Sequence, residues 1–183
     1  MYLSKVVLKA RDSYEQHQAI WSLFPNVPER KRDHLFRIEQ TNRSNSTVLL
    51  QSSTEPESNE HVKVLACKPF QPEVLAGAYY KFKLLGYPTR RLNQSRKIIE
   101  IKDPDERVQW LQRKLSGANV TVTAMDSFLV PYKNNTQSRF VCFEGILQVT
   151  DKAQIDRALV MGIGRKKHAG AGLLSLARSG QEQ

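Results

Sequence analysis

One order of segments, met twice, limits this chain more than any other feature: a strand, a capped helix, a pair of strands and a further strand. Residues 2–9 are rich in Val and Leu and end at Ala10-Arg11-Asp12. Asp12 or Ser13 can cap the helix that follows, with Glu15 or Gln16 as the reciprocal partner of a capping box. That helix carries Ile20, Trp21 and Phe24 on one face and stops at Pro25. Residues 34–40 and 46–52 read as a hairpin across the polar turn 41–45, residues 54–60 as a loop or short exposed helix, and 61–68 as a further strand. The second half repeats the order without repeating the sequence: strand 76–87, a basic connection, a helix opened by Asp103-Pro104-Asp105-Glu106, strands 120–130 and 139–149, a helix capped by Thr150 or Asp151, and strand 173–177. The expectation is an α+β chain of tandem ferredoxin-like (RRM-like) βαββαβ domains, 1–70 and 76–178, with a disordered tail at 179–183.

Composition enters through charge. Lys+Arg number 28 against Asp+Glu 18, a net +10, and such a field attracts polyanions. Between Lys81 and Lys114 ten cations face four anions, so much of the excess sits in one stretch. No apolar run approaches the roughly 20 residues that span a bilayer. The N-terminus lacks the basic and apolar regions of a secretory signal. Cys67 and Cys142, the only cysteines, read as buried, reduced thiols of a cytoplasmic protein.

The sharpest local feature is the loop 162–172, where Gly162, Gly164, Gly170 and Gly172 flank Arg165-Lys166-Lys167. Glycines let backbone N–H groups approach phosphate, and the cations supply counter-charge. Gly162 alone is also explained as a helix cap. A Walker loop is excluded, because this loop joins a helix to a strand and contains no Gly-Lys-Ser/Thr. His17 falls among Ile20, Trp21 and Phe24 on its helix, which suits a packed histidine. It also lies near the positive end of the helix, where a neutral ring is favoured, with Tyr14 one turn earlier. The four histidines are scattered without ligand spacing, and Asp103, Asp105 and Glu106 are explained as a helix start, so neither a metal site nor a small-molecule cofactor is expected. For a phosphodiester there remains the RNA's own 2′-hydroxyl as nucleophile, which needs a base, an acid and cationic stabilisation. His17, Tyr14 and Lys167 are the candidates, with the base or acid role of His17 open.

Two other segments bear on RNA. Phe140 and Phe143 faintly resemble the aromatic strand of an RNA-recognition motif, but three residues apart they face opposite sides, which favours core packing. The connection containing Arg90, Arg91, Arg96 and Lys97, with Asn93 and Gln94 interleaved, suits contact with an RNA backbone and base edges, or is a solvated loop. Arg30-Lys31-Arg32 is a smaller cluster, and one of the two is expected to grip a stem.

These residues together resemble a known family. Met1-Tyr2-Leu3-Ser4-Lys5, Tyr14-x-x-His17-Gln18, Leu23-Phe24-Pro25, residues 110–115, Val141-Cys142-Phe143-Glu144-Gly145 and Gly172-Leu173-Leu174-Ser175-Leu176 are similar, in order and spacing, to CasE, the precursor-crRNA endoribonuclease of E-subtype CRISPR Cascade complexes. The resemblance implies cleavage at the 3′ base of the repeat hairpin, a cyclic-phosphate or 3′-phosphate product, and retention of the crRNA handle beside a Cascade backbone subunit. It matches His17 to a catalytic histidine, Tyr14 to an accompanying tyrosine and Lys167 to a loop lysine. The alternatives are a non-catalytic RNA-hairpin-binding subunit of a ribonucleoprotein and a metal-dependent nuclease.

Overall fold

A computed structural model describes residues 1–179; most of the expected tail, 180–183, lies outside the described residues. The elements, in chain order, are β1 (Tyr2–Leu8), α1 (Ser13–Trp21), β2 (His34–Thr41), β3 (Ser46–Ser52), β4 (Val62–Pro69), β5 (Tyr79–Gly86), β6 (Thr89–Arg91), β7 (Ile98–Glu100), α2 (Pro104–Lys114), β8 (Ala118–Pro131), β9 (Gln137–Val149), α3 (Lys152–Met161) and β10 (Leu174–Arg178). A single 3₁₀ turn, Lys167–Ala169, precedes β10.

Two four-stranded sheets result, ordered β2-β3-β1-β4 and β10-β5-β9-β8, with antiparallel neighbours throughout. In each, the first strand lies between the third and the last, the split order of a ferredoxin-like fold. The tandem α+β expectation holds. The C-terminal sheet has both crossover helices, α2 and α3. The N-terminal sheet has one, and the segment between β3 and β4 runs as an extended loop with no helix. Its serines and glutamates, around a single proline, offer no helical apolar face to bury.

Local chemistry sets the helix starts. Asp12 accepts a hydrogen bond from the Glu15 amide at 2.9 Å, and the Glu15 carboxylate accepts one from the Arg11 amide at 2.8 Å. Asp103 caps α2 in the same way, with Pro104 at the first helical position, and Asp151 caps α3. The N-terminal core gathers Val6, Leu8, Ile20, Leu23, Phe36 and Leu50, the C-terminal one Phe82, Trp110, Leu111, Phe143, Leu147 and Ile155. Phe140 and Phe143 are both buried, in separate clusters, as opposite faces of one strand require.

Two expectations need correction. The basic connection after β5 is not an irregular loop: β6 and β7 pair as a hairpin whose tip, Leu92 to Lys97, closes through hydrogen bonds between Leu92 and both Lys97 and Arg96. Cys67 is exposed, because β4 is an edge strand whose residues from Leu65 onward find no covering layer; Cys142 is half-buried, and both are free thiols. Among the described residues no helix is long and apolar enough to cross a membrane.

Candidate functional site

The loop between α3 and β10 is wedged between the two sheets. Gly162 (φ 75°) ends α3, its N–H donating to the Ala158 carbonyl at 2.9 Å, and a Cβ there would lie 2.8 Å from the Leu35 side chain on β2. Gly170 (φ 92°) sits on the Phe36 ring, and Gly172 (φ 100°) packs against the Ile163 backbone. Gly164 packs on Trp110. Gly170 and Gly172 are buried, so these glycines serve close packing and left-handed backbone. Lys166, at φ 63°, is a non-glycine residue held in the same region. The loop thereby presents Arg165, Lys166, Lys167 and His168 outward between two fixed ends.

What they meet is α1. The 3₁₀ turn packs on this helix, and the rings of His17 and His168 stand edge to face with centroids 6.1 Å apart. The tip of the β8–β9 hairpin completes the group. Ser13 donates its hydroxyl hydrogen to the Pro131 carbonyl at 3.0 Å, and Tyr132 contacts both Tyr14 and His168 with centroids 5.9 and 6.1 Å away. Lys133 lies over the Tyr14 ring at 4.5 Å. Three segments remote in sequence therefore converge: α1, the hairpin tip and the 3₁₀ turn.

The electrostatics suit an anion. Burial, then Arg32, lower the pKa of His17, with the His168 backbone opposing, so the ring is biased toward its neutral form. Its Nδ1 is buried without a hydrogen-bond partner. Burial also lowers Lys167, and Arg32 and Lys114 push the same way. Arg32 and Lys114 thus each lie close enough to repel Lys167, and among the described residues none of the three is ion-paired. A phosphate placed there would relieve that repulsion. No group of three or more His, Cys, Asp or Glu is arranged to hold a metal among the described residues.

The remaining candidates divide. Arg90, Arg91, Arg96 and Lys97 are exposed on the β6–β7 hairpin, and the base of that hairpin shares a recess with Tyr87, Lys114, Gly164 and Arg165. Lys166 holds its ammonium 5.6 Å from the Tyr87 ring. Lys31 is exposed. Arg30 is engaged elsewhere: it stacks on Phe24 and Trp21, at 4.2 and 5.3 Å, and pairs with Asp33. From that cluster it is Arg32 whose charge reaches the site. Arg32 enters the sequence reading only as the end of the 30–32 cluster, and Lys114, Tyr132, Lys133 and His168 are not singled out there as site residues. Only Tyr132-Lys133, ahead of the turn-forming Asn134-Asn135, carried a local signal, an aromatic–basic pair at a hairpin tip.

Comparison with known proteins follows the same lines. Residues 1–178 match the model of a family described as CRISPR associated protein. The chain is 32% identical over 197 residues to the CRISPR system Cascade subunit CasE of Escherichia coli, covering 97% of this chain and 99% of that protein. It is 30% identical over 210 residues to the CRISPR-associated endoribonuclease Cse3 of Thermus thermophilus, covering 97% and 100%. The structure of Thermus thermophilus Cse3 bound to an RNA representing a pre-cleavage complex superposes with a TM-score of 0.82 at 28% identity, covering 96% of this chain and 98% of that one.

Proposed function

Since the chain belongs to the CRISPR-associated protein family, as a CasE-type Cascade subunit, we propose that it is the endoribonuclease that cuts CRISPR precursor RNA and then stays on the product. The reaction proceeds at the 3′ base of the repeat hairpin without a metal ion. The RNA's 2′-hydroxyl attacks the adjacent phosphorus and the 5′-oxygen leaves, giving a 2′,3′-cyclic phosphate. The crRNA hairpin and a Cascade backbone subunit are its partners, and the cytoplasm, where the transcript is made, is its place of work.

One observation carries this reading: the turn bearing Lys167 packs on the helix bearing His17, with Arg32 and Lys114 adding positive charge at the same place. His17, biased toward neutrality, accepts the 2′-hydroxyl proton. Lys167 faces the charge that grows on the phosphoryl oxygens, where a preset cation lowers the barrier. Tyr14, held between Tyr132 and Lys133, positions the nucleotide beside the imidazole. The exposed Arg90, Arg91, Arg96 and Lys97, with Lys31 and the loop residues Arg165 and Lys166, grip the RNA backbone. Gly162, Gly164, Gly170 and Gly172 contribute by shaping the loop.

Single-turnover cleavage of a repeat RNA in EDTA tests the reading. Wild type should cut, His17→Ala should be slower by about 10²-fold or more with RNA affinity retained, and a 2′-deoxy nucleotide before the scissile phosphate should block the cut. Binding without cutting by wild type would leave an RNA-hairpin-binding subunit. Cleavage that EDTA abolishes would overturn the 2′-hydroxyl route.

A further inference from the structure

Proton balance asks for a partner to His17. Displacement by a 2′-hydroxyl releases one proton at the attacking oxygen and needs one at the departing 5′-oxygen. A single neutral imidazole serves the first demand and leaves the second unmet. A second imidazole stands across from it. His168 sits on the 3₁₀ turn, ring partly exposed, its centroid 6.1 Å from that of His17 and 6.1 Å from that of Tyr132. The turn is fixed on both sides: Lys166 before it is left-handed, and Gly170 after it is pinned to Phe36. The direction of His168 is therefore built into the loop.

We infer that His168 is a second proton-transfer group of this active site, the acid that protonates the leaving 5′-oxygen while His17 takes the 2′-hydroxyl proton. The inference rests on the cleavage reading above. In the step, the 2′-oxygen–phosphorus bond forms and the phosphorus–5′-oxygen bond breaks. One proton moves from the 2′-hydroxyl to His17, and another from protonated His168 to the 5′-oxygen. The products are a cyclic phosphate and a 5′-hydroxyl, and exchange with water resets the pair.

The division of labour follows from surroundings. Charging His17 would bury an N–H at Nδ1 with no acceptor, an expensive arrangement. The groups facing His17 are Arg32, His34 and His168, with Tyr14 on its own helix. Those facing His168 are Lys166, His17, Arg32 and Tyr132. Every charged neighbour is cationic, so in the free protein both rings resist protonation, and two rings this close resist double protonation. A phosphate on Lys167 and Arg32 reverses that field, and the proton it invites goes to His168, because on His17 it would leave the buried Nδ1–H without an acceptor.

A leaving group that needs no acid separates this role from a structural one. Repeat RNA with sulfur in place of the bridging 5′-oxygen departs as a thiolate. His168→Ala and His168→Asn should cut ordinary RNA at least about 10²-fold more slowly while binding it as wild type does, and should cut the 5′-thio RNA within a few-fold of wild type. His17→Ala should be slow on both. In wild type the rate on ordinary RNA should fall on an alkaline limb near neutrality, and that limb should vanish on the 5′-thio RNA. Wild-type rates in the His168 variants, slowness on both RNAs with binding intact, or a limb that persists with sulfur would each overturn the inference and leave cleavage by His17 standing. Failure of wild type to cut in EDTA would instead sink the reading beneath it.

Discussion

Burial sets the ionisation of His34, the neighbour that stiffens the floor of the site. It lies on β2 with its ring stacked on Phe24 and edge-on to Trp21, both at 5.2 Å. Desolvation drives its pKa down to about 4; Arg32, Arg30 and His17 act in the same direction and Asp33 opposes. An exposed imidazole titrates near 6.5, so between these values the unfolded chain binds the proton and the folded chain does not. Stability is therefore full above about pH 6.5 and falls as the pH drops toward about 4, by roughly 3 kcal/mol at most from this residue. His34→Phe keeps a flat ring on Phe24 and removes the titration. Urea denaturation at about pH 7.5 and about pH 4.5 should show the variant losing markedly less stability than wild type over that span. Equal losses would assign the pH dependence elsewhere. Individual residues were unevenly legible. His17 and Lys167 stood out because a helix-start histidine and a lysine among glycines are locally unusual. His168, Arg32 and Lys114 could not be placed from sequence, since each gains its meaning from a neighbour that folding brings to it.

At the scale of elements, capping and alternation read well because they are local. Asp12, Asp103 and Asp151 announced three helices, and the strands of both sheets began and ended within a few residues of expectation. The exceptions are segments whose order comes from pairing. The stretch after β5 looked like a solvated connection because its charges mask short strands; only the register of Thr89 with Glu100 and Arg91 with Ile98 makes it a hairpin. That hairpin is where RNA affinity is expected to concentrate, with exposed cations along its base and tip; Arg90 pairs weakly with Glu106 at 3.8 Å, and Glu100 at its base accepts from the Arg139 amide at 3.0 Å. Replacing Leu92 to Lys97 by a two-residue Asn-Gly turn removes Arg96 and Lys97 while sparing both strands. Each phosphate that is no longer neutralised should lower the slope of log affinity against log salt by about 0.9, so the trimmed protein should bind hairpin RNA more weakly with a slope smaller by up to about 2. Thermal stability should stay close to wild type, because the tip buries no apolar side chain. An unchanged salt slope would show that the tip does not touch the RNA.

Across the whole molecule, the site depends on a joint that no single half contains. Leu35 and Phe36 on β2 meet Gly162 and Gly170 of the loop, and Gln51 on β3 donates its side-chain N–H to the Leu159 carbonyl of α3 at 2.7 Å. Arg37 fastens this joint. Only 4% exposed, its guanidinium donates to the Glu39 carboxylate at 2.8 Å, the Leu173 carbonyl at 3.2 Å and the Ser175 hydroxyl at 3.0 Å. Leu173 ends the loop that carries Lys167 and His168, so the arginine of one sheet holds that turn against the other. The sequence hid this: a lone arginine in a strand reads as a solvent-facing residue of an edge, and only the docking of two sheets buries it. Arg37→Met keeps an unbranched apolar stem without the guanidinium donors. It should cost roughly 2–3 kcal/mol of stability, the scale of removing hydrogen bonds made by a charged group inside a protein. Because the loop end is freed while the β6–β7 hairpin is untouched, single-turnover cleavage should fall by about ten-fold or more, a cost of about 1.4 kcal/mol in the barrier, with RNA affinity within a few-fold of wild type. The two readouts must move apart in that way. If cleavage and affinity fell together, Arg37 would be a general prop of the fold; if neither moved, the loop would hold its position through Leu35 and Phe36 alone.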